Sequence, residues 1–243
     1  MSQSVKRAAR IIDSIAAQPK TVAQLAAEFE LHRSTMFREL QTLEEVGYAR
    51  RRKDGTYALA LHLATLAQAA LENLDLRQAS YGHLRRLHAL VGNTVHLAAL
   101  MEDSIVYVDK IEDASGVRMY SRIGSPVRPH CSAVGKAILA GLDVSRRDAI
   151  LADTVWKKHT ATTLATRKAL DTELDAVAER GWAADNGEFE DFVNCIAVPI
   201  RSSAGVVGAL SITAIRMKLD LEQLKPRIPV MQQTAAQIAL ELG

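Results

Sequence analysis

The chain has 243 residues, 48% of them apolar, which is enough for two folded cores. No run of about eighteen apolar residues could span a bilayer, and the polar, basic start from Met1 to Arg10 leads into no secretory apolar core, so a cytosolic protein without membrane contact is expected. Net charge is +2, but residues 1–60 carry 10 Lys/Arg against 7 Asp/Glu while residues 61–243 carry 20 against 21, so the basic excess lies at the amino end. That excess favours nucleic acid only if the cations converge on one surface.

Val5, Ala8, Ile12 and Ile15 recur at helical spacing and predict a first helix ending near Gln18-Pro19. Thr21, with Gln24 three residues on, forms a capping-box pattern for a second helix that buries Val22, Leu25, Ala26 and Phe29 and ends around Glu30. After a tight break at Leu31-His32, a third helix runs through Val46 with Met36, Leu40 and Leu43 as its apolar seam and Gly47 as its cap. Two helices joined this closely suggest a helix-turn-helix.

Opposite the seam of the third helix lie Ser34, Arg38 and Gln41, flanked by Thr35 and Thr42, with Arg33 at the helix start. Hydroxyls bind phosphates and base edges, and arginine can donate two parallel bonds to guanine, so this face suits a major groove. Tyr48 to Leu59 reads as a hairpin whose Asp54-Gly55 pair predicts a two-residue turn, with Arg50, Arg51, Arg52 and Lys53 crowded beside it. Each feature alone is equally a wet surface; their order within about forty residues points to a winged helix-turn-helix on double-stranded DNA.

Leu61, Leu63, Ala64, Leu66, Ala67, Ala70 and Leu71 make a linker helix apolar around more than half its circumference. It pairs either with the same helix of a second subunit or with its own domain, and a homodimer is the favoured reading, with pairing of dimers into a tetramer left open. The boundaries expected are 1–60 for the DNA-binding domain, 61–75 for the linker and 76–243 for the large domain. Leu76–Val91 predicts a helix ended by Gly92-Asn93, and strands follow at Thr94–Met101, Ile105–Ile111 and Val117–Ile123.

Past Gly124 to Pro129 a helix begins near Ser132 and runs to Gly141; its first amides, at Ala133 and Val134, are open to a carboxylate, or Ser132 simply caps it. Helices are predicted at Ser145–Leu151, Arg167–Arg180 and Val230–Leu242, with Pro226 and Pro229 interrupting the approach to the last. Val193–Arg201 and Val206–Ile215 form a hairpin; pairing Arg201 with Gly205 sets Cys195 opposite Ser211 and Val193 opposite Thr213, which puts the thiol and hydroxyls on one face. Cys131 and Cys195 lack disulfide-framework or zinc-ribbon spacing and read as buried free thiols; no cofactor and no metal is expected.

From end to end the chain resembles the isocitrate lyase regulator (IclR) family of bacterial transcription factors. Pro129-His130-Cys131-Ser132-Ala133-Val134-Gly135-Lys136-Ala137 is similar to its helix-start motif, and Asn194-Cys195-Ile196-Ala197-Val198-Pro199-Ile200, followed by Ser211-Ile212-Thr213, to its signature strands. The resemblance implies an α+β chain: a winged helix-turn-helix, a linker helix and a GAF-like effector-binding domain with an antiparallel sheet. It also implies a pocket made of the Ala133 and Val134 amides, the side chains of Asp185, Cys195, Ser211 and Thr213, and walls from Met119, Val127 and Val193. Val134 is larger than many family members carry there, which reshapes the pocket floor.

The segments His96–Leu100, Glu102–Tyr107 and Arg118–Gly124 are most similar to members that govern sugar-acid catabolism, which implies a repressor answering a small carboxylate effector such as 2-keto-3-deoxygluconate. Asp185 would repel that carboxylate unless it bonds a ligand hydroxyl or is protonated. The rival class is an enzyme in which His130, Cys131, Asp185 and Cys195 assemble a thiol nucleophile or a metal site, which requires them within hydrogen-bonding reach. A third reading, an architectural DNA binder whose large domain only dimerises, leaves the hydroxyls of Ser211 and Thr213 unexplained.

Overall fold

A computed structural model describes residues 3–113 and 121–243. The chain divides into two compact units, the first ending at Asn73 and the second spanning Leu74–Gly243.

In the first unit α1 (Gln3–Ala17) precedes a two-residue strand β1 (Lys20–Thr21), α2 (Val22–Glu28), α3 (Arg33–Glu45), β2 (Ala49–Arg51), β3 (Thr56–Leu59) and α4 (His62–Glu72). Thr21 caps α2 through the reciprocal bonds expected of it: its Oγ1 accepts from the Gln24 amide and the Gln24 side chain accepts from the Thr21 amide. The apolar stripe of α1 lies one residue off the expected line. Ile11 and Ile15 are buried and Val5 is exposed, because the helix meets α3 and β3 along the Ala8–Ile11–Ile15 edge. Met36, Leu40 and Leu43 of α3 complete this core with Leu25 and Tyr57.

The sheet order is β1-β3-β2, all antiparallel, so Lys20-Thr21 supplies a third strand that the sequence reading lacks. The hairpin turn also differs. Arg52 N donates to Thr56 O and Gly55 N to Arg52 O, so Lys53-Asp54-Gly55 is a three-residue loop rather than a two-residue one. Gly55 at φ +80° takes the left-handed position that such a loop requires, and Asp54 Oδ1 accepts from the Thr56 amide and hydroxyl.

The second unit runs α5 (Asp75–Val91), β4 (Thr94–Leu100), β5 (Ile105–Ile111), α6 (Ala133–Leu139), α7 (Val144–Leu151), α8 (Arg167–Arg180), β6 (Ala183–Asn186), β7 (Val193–Ser202), β8 (Gly205–Ile215), α9 (Leu221–Leu224) and α10 (Ile228–Leu242). Its antiparallel sheet has the order β5-β4-β8-β7-β6. Every residue from Val193 to Val198 is buried, because β7 is covered on both faces. Cys195 and Ala197 join a core with α6 and α8, while α10, itself packed on α5, lies against β7.

Three expectations need correction. Most of the strand expected at Val117–Ile123, and with it Met119, lies outside the described residues, and Ser121–Ile123 are not strand. In the β7–β8 hairpin Cys195 pairs with Thr213, Ala197 with Ser211 and Val193 with Ile215: Gly205 pairs with Ser202 rather than Arg201, which moves the register by one residue, and a bulge at Ile200/Arg201 moves it by one more. A shift of two keeps every side chain on its face, so the thiol and hydroxyls still converge. Finally, Pro229 does not delay the last helix: it sits in the first turn of α10, where a missing N–H costs no bond.

Candidate functional site

Two places in the molecule carry concentrated chemistry, one in each unit. On α3, burial of Met36, Leu40 and Leu43 forces the opposite side outward, and Arg33, Ser34, Thr35, Arg38, Gln41 and Thr42 are all exposed. Thr42 Oγ1 donates back to the Arg38 carbonyl at 3.1 Å, and Ser34 Oγ meets His32 Nδ1 at 2.9 Å. Arg7 of α1 holds Glu39 of α3 through a charge-assisted bond at 2.8 Å, which braces the side of the helix rather than its outer face.

Arg50, Arg51, Arg52 and Lys53 are likewise exposed on β2 and the loop after it. The Arg51 amide donates to Glu44 Oε1 at 3.1 Å, tying the ribbon to the end of α3. Among the described residues none of Arg33, Arg38 and Arg50 to Lys53 forms an ion pair. This surface offers unpaired cations and short polar side chains on one rigid α3–ribbon scaffold, the donor set that phosphates and base edges accept from.

In the second unit a cavity of about 70 Å³ opens where α6 begins against β7 and β8. Ala133, Val134, Asp185, Val193, Cys195, Ser211 and Thr213 line it, as the family pocket would have them. Val127 does not: it faces a neighbouring cavity, because the extended chain from Pro126 to Arg128 turns alternate side chains in opposite directions. Gly135 lets α6 start here, since a Cβ at that position would come within 2.7 Å of Pro129, and Ser132 Oγ caps the helix by accepting from the Gly135 amide.

His96, Tyr107, Arg128, Phe189 and Glu190 also line the cavity and escaped the sequence reading, and Cys131, named there for the enzyme reading but not for the pocket, lines it too. His96 left a signal, being a histidine within the apolar strand β4. It forms a buried relay: Ser121 Oγ lies 2.7 Å from His96 Nε2, His96 Nδ1 lies 3.3 Å from Thr213 Oγ1, and Thr213 donates to Cys195 Sγ at 3.2 Å. Burial, aided by Lys110, lowers the His96 pKa to about 3, so the ring is neutral, and the relay closes with its proton on Nδ1.

Asp185 is pushed up to about 7, first by burial and then by the neighbouring Glu188 carboxylate. Its Oδ1 accepts from the Glu188 amide at 2.7 Å. Glu188 pairs with buried Lys136 at 2.5 Å, yet burial outweighs the ammonium and its pKa also stands above the usual carboxylate value. The thiols of Cys131 and Cys195 are both raised to about 12, chiefly by burial, so neither is a thiolate near neutrality.

The four residues of the enzyme reading do not assemble. Cys131, Asp185 and Cys195 share the cavity beside α6, but His130 faces the larger neighbouring one, and among the described residues no thiol bonds a histidine nitrogen. A different trio, His130, Cys131 and His159, brings three metal-ligating atoms within 4.8 Å of one another.

Comparison with known proteins identifies both parts of the chain. The IclR helix-turn-helix domain model matches residues 4–53, and the bacterial transcriptional regulator IclR C-terminal model matches residues 68–240. The chain is 37% identical over 224 residues to the HTH-type transcriptional regulator KdgR of Escherichia coli K12, covering 91% of this chain and 85% of that one. The crystal structure of Thermotoga maritima IclR, 30% identical, matches with a TM-score of 0.79 over 98% of both chains. That of the C-terminal domain of E. coli KdgR, 34% identical, matches with a TM-score of 0.62 over 70% of this chain and 99% of that one. The chain therefore belongs to the IclR family of DNA-binding transcriptional regulators, as a KdgR-like member and not an enzyme.

Proposed function

We propose that this chain is a repressor whose operator contacts come from Arg33, Ser34, Thr35, Arg38, Gln41 and Thr42 on α3 and from Arg50, Arg51, Arg52 and Lys53 on the wing. A small hydroxylated carboxylic acid of the sugar-acid class, such as 2-keto-3-deoxygluconate, binds the cavity and alters operator occupancy. Residues 1–60 read DNA, 61–75 link, and 76–243 sense.

One observation carries the sensing half of this reading: a small cavity lined by buried Ser211, Thr213 and Asp185 beside the opening turn of α6. These groups already have partners within the protein, and a compact polyhydroxy acid bonds the donor and acceptor capacity that they still turn to the cavity. With a pKa near 7, Asp185 is largely protonated just below neutrality and can donate to a carboxylate, which removes the repulsion that an ionised side chain would impose.

The chain acts as a homodimer, extending to a tetramer, in the cytoplasm. α4 supports the pairing: none of its residues is buried, although Leu63, Ala64, Leu66, Ala67, Ala70 and Leu71 run along it. No helix among the described residues is long and apolar enough to cross a membrane. The test is to titrate sugar acids and simple organic acids against a protein–operator complex. The wild type is expected to respond to a hydroxylated acid, and Ser211→Ala to lose that response while keeping its DNA affinity. A response fully retained in Ser211→Ala excludes this cavity, and no response to any acid excludes the ligand class.

A further inference from the structure

We propose that His130, Cys131 and His159 form a binding site for a single zinc-class divalent metal ion, set in the wall between the cavity beside α6 and its neighbour. His130 and Cys131 lie on the 3-10 turn Pro129–Cys131 that leads into α6, and His159 comes from the segment between α7 and α8. One ligand atom from each lies within 4.8 Å of the other two. Two imidazoles and a thiolate form a borderline-soft donor set that suits zinc, cobalt or copper rather than magnesium or calcium.

An independent observation marks His130. Its ring is 3% exposed, yet neither Nδ1 nor Nε2 has a hydrogen-bond partner. The Lys157 backbone lies beside the ring, but outside hydrogen-bond geometry. A buried imidazole with both nitrogens idle is costly as plain packing against Trp156, the ring 5.4 Å away. A metal on one nitrogen uses the lone pair and leaves the other N–H to find that backbone, the usual arrangement for a ligating histidine.

The charges permit a cation. Asp103, Asp153, Arg128 and Lys157 line the same cavity as His130 and His159, and the Asp185 and Glu188 carboxylates act on Cys131 together with Arg128 and Lys136, so acids balance the nearby cations. Binding releases the Cys131 proton to water as the metal–sulfur bond forms, so a divalent ion adds one net positive charge. Tetrahedral ligand atoms stand about 3.5 Å apart, so the trio must close by about an ångström. His159, partly exposed and edge-on to Phe189, is the member free to move.

Cys131 also faces the cavity beside α6, and Pro126 and Arg128 line both cavities, so an ion here pins the shared wall. The site stands or falls apart from the identity of any effector. The experiment uses the tag-free full-length chain after chelator treatment, with zinc uptake by equilibrium dialysis and the absorption spectrum with cobalt. Expected are about one zinc per chain and a near-ultraviolet thiolate-to-cobalt band that Cys131→Ser abolishes. His159→Ala should weaken zinc binding at least about tenfold.

The proposal is overturned if no thiolate band forms, if the band survives Cys131→Ser, or if Cys195→Ser removes it, which would place the ion in the cavity beside α6. Should Cys131→Ser fail to fold, His159→Ala decides alone: unchanged affinity there also overturns it.

Discussion

The outer face of α3 and the cavity beside α6 hold polar residues under opposite conditions. Arg38 and its neighbours stand in water on a helix whose stability comes from Met36, Leu40 and Leu43 on the other side, so contact chemistry and folding are carried by different residues. In the cavity the same groups serve both. Asp185 accepts from the Glu188 backbone and Thr213 sits between Cys195 and His96, while behind the lining Lys136 and Glu188 are buried as a pair. The difference teaches that substitutions on the first surface can separate recognition from stability, whereas those in the second cannot leave stability untouched.

The largest effect expected from this contrast is at Lys136. Lys136→Ala should destabilise the second unit by about 3 to 5 kcal/mol by stranding the buried Glu188 carboxylate, and Lys136→Met combined with Glu188→Gln should restore most of it. Both tryptophans, Trp156 and Trp182, lie in this unit, so urea unfolding followed by tryptophan fluorescence reports it alone. An unchanged midpoint in Lys136→Ala would break the contrast. Next comes Arg38→Ala, expected to weaken operator binding by about 1 to 3 kcal/mol in gel retardation and to shift stability by less than about 0.5 kcal/mol. Unaltered retardation, or a comparable loss of stability, would show that the outer face is not specialised for contact.

The last effect, small over any single pH unit, is a slope in stability with pH. Asp185 holds its proton up to about pH 7 when folded, against an ordinary value of 3.8 when unfolded. Across that window unfolding releases a proton. The contribution of Asp185 to stability is therefore level below the window, falls as pH rises through it by up to about 1.4 kcal/mol per pH unit, and is level again above it. Asp185→Asn keeps an acceptor for the Glu188 amide and should remove this slope. Wild type and variant curves that run parallel between pH 5 and 7 would mean that the carboxyl is ionised in the folded chain.

Much of the first unit was legible because its signals are local: Thr21 with Gln24, the seam of α3, and Gly47 and Gly55 at positions of positive φ. What escaped there was β1, two residues whose strand character exists only through pairing with β3. In the second unit α8 was legible to the residue, but β6 was not, since Ala183-Ala184-Asp185-Asn186 has none of the branched side chains that announce a strand. The turn pairing and the bulge in β7 together moved partners by two without changing faces, so the convergence of Cys195, Ser211 and Thr213 could be read while their pairing could not. His96 and Arg128 reach the cavity from elements distant in sequence, and no spacing rule joins them to Asp185.

One more consequence follows from α4. At 11 residues it is too short to persist alone in water, and at its start His62 stacks on Tyr48 of the reading head. Under the proposed pairing, its coil would tighten as copies of the chain accumulate and fray as they thin out. Scarcity would then slacken the yoke between two reading heads, making abundance itself a signal that the regulator registers with no effector at all.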